Sequence, residues 1–419
     1  MKSIVFINTN KSGSSRDAIK AADRLGYYTI LFTDKEGYLE KRTEFPDIHY
    51  IQLCDLYDLE VMKKMIRKLM SRGLEIKCIA SFVDPYCSTA CILGREFKLN
   101  KFSSQAILTM ESKKLSRKAI KDSPYCPEYM ILPKSMDETA VKVNTKLPLI
   151  MKSPKSTGSK DVMKIKSHAQ LKRQIHALRT KYPNDDIIIE EFLDGPQYLI
   201  ETTVFDNKVE IIAIIKQDIS LRDRFIIMGY DLIINPDEKF LNEIKRTITS
   251  IIKDHGMTSG VCHLEMRYIQ GKWKLIEINP RISGAGMNKM IEIGLGINLV
   301  EETLKYLLGQ SYNLKPRHKV HCYARYAVVN KVGILKKVTG KNRALRSQGV
   351  KSVYVKPRKG TLLKPPISMG QRYAYVIATG KTQAIAKKNA FNGVGQIKFE
   401  LSSDKIKDMV GNYTKKRDQ

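Results

Sequence analysis

Residues 263–281 constrain the fold of this chain more than any other stretch. The run His263-Leu264-Glu265-Met266-Arg267-Tyr268-Ile269 passes through Gln270-Gly271-Lys272 into Trp273-Lys274-Leu275-Ile276-Glu277-Ile278-Asn279-Pro280-Arg281. Two arms around a short Gly-containing turn read as a β-hairpin. Side chains of a strand alternate faces with period two. Glu265, Glu277, Asn279 and Arg281 are all odd-numbered. With Gly271 at the turn centre, Glu265 falls opposite Glu277 and His263 opposite Asn279. Like charges placed this way destabilise a sheet by roughly 0.2–1 kcal/mol per pair, and a cation between them relieves the repulsion. Two carboxylates and an amide oxygen are hard ligands that suit Mg2+ held together with phosphates. The plain alternative is a solvated hairpin whose acids never meet, which a one-residue slip of register would give.

At 419 residues the chain is long enough for two to four domains and a sizeable core. Hydrophobic residues make up 42% and charged residues 28%, the balance of a folded soluble protein. The apolar run after Met1 is too short for a signal peptide, and the longest candidates, such as Ile211-Ile212-Ala213-Ile214-Ile215, are strand-sized. The expectation is therefore a cytoplasmic protein with no membrane partner. The seven cysteines are scattered. Cys87 and Cys91 alone are close, at helical spacing, and no second pair completes a zinc site, so they read as buried free thiols. The net charge of +30 predicts attraction to anions. The basic residues are dispersed and no nucleic-acid-binding signature accompanies them, so nucleic acid is not an expected partner. The last ninety residues are the most one-sided, with roughly twenty Lys/Arg against about four acids.

The N-terminal run Ser3–Ile7 reads as a buried strand, Arg16–Leu25 as a helix and Tyr28–Thr33 as a second strand, the βαβ opening of a parallel sheet. A helix at Leu59–Ser71 and a strand at Ile76–Val83 continue it. The loop Asn10–Ser15 follows the first strand, where open α/β sheets bind ligands, but carries no GxGxxG or Walker pattern. Ser103–Lys121 has one long helical pattern, closed by Ser123-Pro124-Tyr125-Cys126-Pro127. A new α/β region follows, with strands at Leu149–Lys152, Val162–Ile165, Ile187–Phe192, Leu199–Phe205 and Val209–Gln217. Helices are expected at Leu171–Leu178, Phe240–His255 and Ile291–Tyr306. From about Pro316 the tail reads as a small α+β domain, with strands near Val320–Val329 and Ala374–Ala378 and a helix at Thr382–Phe391.

Two further stretches carry chemistry. Lys152 ends a strand and leads into a Ser/Thr/Gly/Lys loop up to Lys160, whose amides and lysines suit triphosphate oxygens; a polar hairpin turn is the commoner explanation of such a loop in isolation. Ile189-Glu190-Glu191-Phe192-Leu193-Asp194-Gly195-Pro196-Gln197 runs from an apolar strand into acids and a Gly-Pro turn. It reads as a hinge for a flat base with Gln197 near ribose hydroxyls, or as an edge strand with polar flanks.

In series, these stretches resemble the ATP-grasp family of carboxylate ligases. Ser112-Lys113-Lys114-Leu115-Ser116-Arg117 resembles its Asp-Lys-x-x-x-Arg helix, with Ser112 in the aspartate's place. Met151-Lys152 with Ser156-Thr157-Gly158-Ser159-Lys160 resembles its lysine strand and phosphate loop. Glu190–Gln197 resembles its hinge, with Gln197 where a ribose-binding glutamate is usual, and the hairpin resembles its metal site. Gly380-Lys381-Thr382-Gln383-Ala384-Ile385-Ala386 is similar to the terminal subdomain of the amino-acid ligase branch, dipeptide-forming or carrier-protein-loading. The resemblance covers about residues 1–400.

It implies an α/β chain of ATP-grasp architecture. Residues 1–100 would form an N-terminal parallel-sheet (pre-ATP-grasp) α/β domain. Residues 101–315 would form the ATP-grasp α+β domain, with a lid at 126–190 and a metal and catalytic subdomain at 191–315. Residues 316–419 would form a small basic C-terminal α+β subdomain. Implied cofactors are ATP and Mg2+ (or Mn2+), with Glu265, Glu277 and Asn279 holding the metal. Lys113, Lys152, Ser156, Thr157, Gly158, Ser159, Glu190, Glu191, Phe192, Leu193 and Gln197 would hold the nucleotide. Arg281 and Lys152 would be catalytic: an amino-acid carboxylate becomes an acyl phosphate, which an amine displaces, while loop 153–161 excludes water. The alternative acceptor is the phosphopantetheine thiol of an acidic acyl carrier protein in natural-product biosynthesis, and an alternative of another class is a basic nucleic-acid-binding protein. A homodimer is compatible with either ligase reading. Selectivity would lie in Gly284-Ala285-Gly286-Met287-Asn288 and around Arg222 and Arg224, whose charge would suit an acidic side chain such as glutamate. His263 stands either near the nucleophile, behind the metal ligands, or as a satisfied core histidine.

Overall fold

A computed structural model describes residues 1–100, 102–136, 146–153, 161–221 and 225–402. The first strands, β1 (Lys2–Ile7), β2 (Tyr28–Thr33), β3 (Tyr50–Leu53) and β4 (Glu75–Ala80), form a parallel sheet in the order β3-β2-β1-β4. Helices α1 (Ser14–Arg24), α2 (Gly37–Glu40), α3 (Leu59–Ser71) and α4 (Cys87–Glu96) connect its strands and follow β4. Burial of every β1 residue after Lys2 fits a parallel sheet covered on both faces. Val5, Ile7, Ile30 and Phe32 meet α3 and α4 through Met62, Ile66 and Leu93. Ile4, Phe6 and Leu31 on the other face join a core that continues into the rest of the molecule.

The helical stretch after Ser103 is two helices rather than the single one its periodicity indicates: α5 (Ser104–Glu111) and α6 (Lys113–Ala119). Ser112 between them is extended, with φ −95° and ψ 109°, and its Oγ accepts from the Leu115 amide at 3.3 Å. A serine that caps the second helix ends the first. Strands β5 (Tyr129–Leu132), β6 (Leu149–Lys152), β7 (Val162–Ile165) and β8 (Ile187–Glu191) make an antiparallel sheet, β5-β8-β6-β7, backed by α7 (His168–Lys181). This unit has its own core of Leu132, Leu149, Met151, Ile165, Leu171, Ile175, Leu178, Ile187 and Ile189.

The largest sheet follows. It contains β9 (Gln197–Phe205), β10 (Lys208–Leu221), β11 (Phe225–Ile233), β12 (Gly260–Ile269) and β13 (Lys272–Asn279), with α8 (Glu238–Asp254) inserted before β12. The expected helix over 291–306 is also two, α9 (Met287–Leu295) and α10 (Leu299–Leu307). Gly296 closes α9 at φ +72°, and the Asn298 side chain accepts from the Glu301 amide at 3.3 Å to open α10. The tail supplies β14 (His321–Ala327), β15 (Gly333–Thr339), α11 (Lys341–Arg346), β16 (Val350–Val355), β17 (Leu362–Leu363), β18 (Ala374–Gly380), α12 (Gln383–Gly395) and β19 (Lys398–Ser402). Three of these extend the large sheet, in the order β13-β12-β9-β10-β11-β14-β18-β16, while β17-β15-β19 form a small separate one. No described helix is long and apolar enough to cross a membrane. Among the described residues every cysteine is free, and Cys87 and Cys91 are buried.

Candidate active site

The hairpin pairs Glu265 with Glu277 and His263 with Asn279. It reaches that register by a route the sequence did not indicate. The turn has two residues, Gln270 and Gly271, both at positive φ (+46° and +78°), so Ile269 pairs with Lys272. That turn alone would set Glu265 opposite Ile276. A β-bulge between Glu265 and Met266 inserts Ile276 as the extra residue and restores the pairing with Glu277. The Ile276 carbonyl, displaced from the ladder, accepts from Arg117 Nη2 at 2.6 Å.

Around this hairpin Lys113, Arg117, Lys152 and Arg281 each meet a carboxylate. Lys113, in the first turn of α6, lies 3.0 Å from Glu277 Oε1. Burial alone would raise Glu277, but the Lys113 ammonium holds it down at about 2. Glu265 is pushed up to about 7 by burial and the Glu277 charge, which outweigh the pull of Lys113. Gln197 Nε2 donates to Glu265 Oε2 at 3.1 Å and to Gln217 Oε1 at 2.6 Å. Its amide is thus turned to Glu265 and a neighbouring strand. Lys152, at the end of β6, is buried and donates to Glu190 Oε2 at 2.7 Å. Arg117 Nε donates to the other oxygen of Glu190, also at 2.7 Å. Burial lowers Lys152 to about 8 against the pull of Glu190. Burial would raise Glu190, but Arg117 and Lys152 keep it below the usual carboxylate range.

Arg281 lies just past β13 and is clasped by Asp84, which follows β4: Nε lies 2.9 Å from both carboxylate oxygens. His263 Nδ1 sits 2.9 Å from the Arg281 carbonyl, and Asn279 Nδ2 sits 3.3 Å from His263 Nε2. Burial keeps His263 neutral, at about 4. Its Nδ1 therefore carries the proton toward the carbonyl, and Nε2 accepts from the asparagine. This orients Asn279 with its amide oxygen as the atom left for a cation. Beyond Arg281, the Ser283 amide donates to buried Glu201 at 3.1 Å, and Asn288 Nδ2 donates to Ser14 Oγ at 2.9 Å. Ser14 in turn donates to the Ser283 carbonyl. The loop Asn10–Ser15 thus docks on the loop after Arg281. Gly13, at φ +87°, is required there, since a Cβ would meet the Ala285 amide nitrogen at 3.3 Å.

Lys113, Lys152, Glu190, Glu191, Phe192, Leu193, Gln197, Glu265, Glu277, Asn279 and Arg281 all line one cleft of about 1130 Å3. That exceeds the ~300–1,000 Å3 of a small-molecule site, leaving room for a nucleotide and a second substrate. Ile150, Phe192, Leu193 and Leu199 supply an apolar wall, and the Phe192 ring lies 3.4 Å from Lys164 Nζ and is tilted against Phe225. Ser156, Thr157, Gly158 and Ser159, like Arg222 and Arg224, lie outside the described residues. Asp84 and Glu201 are the groups sequence reasoning missed, and Arg117 was placed in the motif without a role. Asp84 follows the last strand of a parallel sheet, at the end where such sheets place ligand-binding groups, and that was its one signal. The donor set fits a hard cation: two opposed carboxylates, one of them ionised down to about 2, and an oriented amide oxygen.

Residues 145–289 match the model of the ATP-grasp domain, and residues 325–402 match that of the L-amino acid ligase C-terminal domain 2. The chain thus carries an ATP-grasp domain together with a C-terminal domain of the L-amino acid ligases, a pairing that indicates an ADP-forming ligase. It is 22% identical over 320 residues to an L-arginine-specific L-amino acid ligase of Bacillus subtilis, covering 75% of this chain and 77% of that protein. It is 21% identical over 410 residues to an uncharacterised protein of Sinorhizobium fredii, covering 96% of this chain and 84% of the other. The crystal structure of an L-amino acid ligase from Bacillus licheniformis superposes with a TM-score of 0.80 at 18% identity, over 96% of this chain and 99% of that one. At that identity the likeness is one of fold.

Proposed function

We propose that this enzyme activates the carboxylate of an L-amino acid as an acyl phosphate and joins it to an amine, forming a dipeptide or amide with ADP and phosphate. The observation that carries this reading is the meeting, in one cleft, of the opposed Glu265–Glu277 pair, the cations Lys113 and Lys152, and Arg281. Mg2+, held by Glu265, Glu277 and Asn279, would supply charge neutralisation on the phosphates. Lys113 and Lys152 place point charges beside the phosphate oxygens. The Glu190 carboxylate keeps Lys152 protonated and fixes its Nζ at 2.7 Å. The apolar wall at Phe192, Leu193 and Leu199 takes the base. Ser156–Ser159 would close over the phosphates and keep water from the acyl phosphate. Arg281, in transferring from Asp84 to the substrate carboxylate, would stabilise charge on the transferred phosphoryl and then on the tetrahedral oxyanion. The amine displaces phosphate, and no protein nucleophile is needed.

The L-amino acid ligase names among the relatives support an amine acceptor. A carrier-protein thiol or a nucleic acid would draw only on the basic surface, and neither is the reading we carry. The test is ADP release over the twenty amino acids, singly and in pairs, with products read by mass spectrometry. Product from free amino acids is expected. Glu277→Gln should lower kcat by roughly two to three orders of magnitude; unchanged ADP release in that variant would refute the metal assignment.

A further inference from the structure

The phosphate-side cations Lys113 and Lys152 each face a carboxylate; Arg372, on another wall of the cleft, does not. Arg372 follows the short 3-10 turn Met369–Gln371, which is fixed by a capping box between Ser368 and Gln371. Its Nη1 donates to the Ile227 carbonyl at 3.0 Å and the Tyr230 hydroxyl at 3.2 Å, and its Nε to the Met369 carbonyl at 3.4 Å. Its Cζ lies 3.9 Å from the centre of the Tyr326 ring and 5.6 Å from that of Tyr230. Among the described residues no carboxylate pairs with it. A guanidinium walled by tyrosine rings gains most from an anion it can bond through its fork. Arg372 opens into the same cleft as Arg281. Its contacts are on β11, separated from β12 by β9 and β10. The Glu265 charge acts on Arg372 across the cleft, with no hydrogen bond between the two among the described residues, and the phosphates already have Lys113 and Lys152.

We infer that Arg372 anchors a second substrate carboxylate, one that is not activated: the α-carboxylate of the amine acceptor or the side-chain carboxylate of the donor. The inference rests on the ligase reading above. A planar carboxylate matches the guanidinium fork.

The test compares wild type with Arg372→Met and Arg372→Lys by kcat/KM for ADP release and product. One arm pairs acceptor amino acids with their carboxamides; the other pairs aspartate and glutamate donors with asparagine and glutamine. Wild type should prefer the acid by roughly tenfold or more in one arm. Arg372→Met should abolish that preference, and Arg372→Lys, which keeps charge without the fork, should retain part of it. The arm that responds identifies the carboxylate. A merely structural role would raise the KM for ATP and leave the acid-to-amide ratio intact, and that result overturns the inference, as does a wild type indifferent in both arms. Wild type releasing no ADP with any amino acid would instead refute the ligase reading, and this inference with it.

Discussion

Lys152 and Arg117 share Glu190, Lys113 holds Glu277, and Arg281 is clasped by Asp84. Glu190, expected among the nucleotide contacts, bonds Lys152 and Arg117 through its carboxylate and so serves as counter-ion to two buried cations. Glu190→Gln leaves both without an anion, and breaking a buried ion pair costs about 3–5 kcal/mol. The denaturation midpoint should fall accordingly in chemical unfolding. Because burial lowers Lys152 to about 8, the free enzyme loses that ammonium as pH rises through this value, so the KM for ATP should climb between pH 7 and 9. Removing the Glu190 charge, which supports the protonated lysine, should move the climb to lower pH. The residues of this network were legible where a motif carries them, as for Lys113, Lys152 and Glu277. They were not where the partner is remote in sequence: Asp84 lies 197 positions from Arg281, and Arg117 lies 73 from Glu190. No local pattern marks such pairs.

At the scale of elements, the hairpin was read correctly through two departures that cancel. The turn is one residue shorter than expected, and the bulge at Ile276 returns the residue. Alternation of apolar and polar residues revealed the strands, but it cannot distinguish a long turn from a short turn with a bulge. Periodicity likewise merged α5 with α6 and α9 with α10, because Ser112 and Gly296 interrupt the backbone without interrupting the pattern. Deleting Ile276 should remove the bulge yet leave Glu265 opposite Glu277, at the cost of the Ile276 carbonyl that Arg117 bonds. ADP release should therefore survive while the far-UV spectrum stays unchanged; abolished ADP release would show that the bulge itself positions the acid pair. Another element junction carries a pH signature. His255, the cap of α8, bonds Ser116 Oγ of α6 through Nε2 at 2.8 Å and the Ile251 carbonyl through Nδ1 at 2.7 Å. Burial lowers it from 6.5 to about 4. The unfolded chain therefore takes up a proton that the native state refuses. The stability this gives is fully present above pH 6.5 and is lost as pH falls toward 4, amounting to about 3 kcal/mol. Urea unfolding at pH 7 and pH 5 should show the loss, and His255→Gln should flatten it.

The whole molecule carries +30, unevenly placed: between Glu302 and Glu400 stand 21 Lys/Arg and no acid. A compact body so charged repels itself. Its melting temperature should therefore rise as NaCl goes from about 10 to about 150 mM, where the screening length shrinks to ~8 Å; a flat response would mean the charges are already neutralised. The joining of the first sheet to the large one was invisible in the sequence, since it depends on Ile4, Phe6 and Leu31 meeting Leu232, Ile291 and Leu304 in one core. The clasp of Asp84 on Arg281, with Ser14 on Ser283, gives that joining a further meaning. A fragment starting at residue 101 would keep Glu265, Glu277, Asn279 and both lysines yet lose the grip on Arg281. The leading segment is thus not an exchangeable module, and chimeras that graft it from a relative should be judged by turnover and not by substrate range alone.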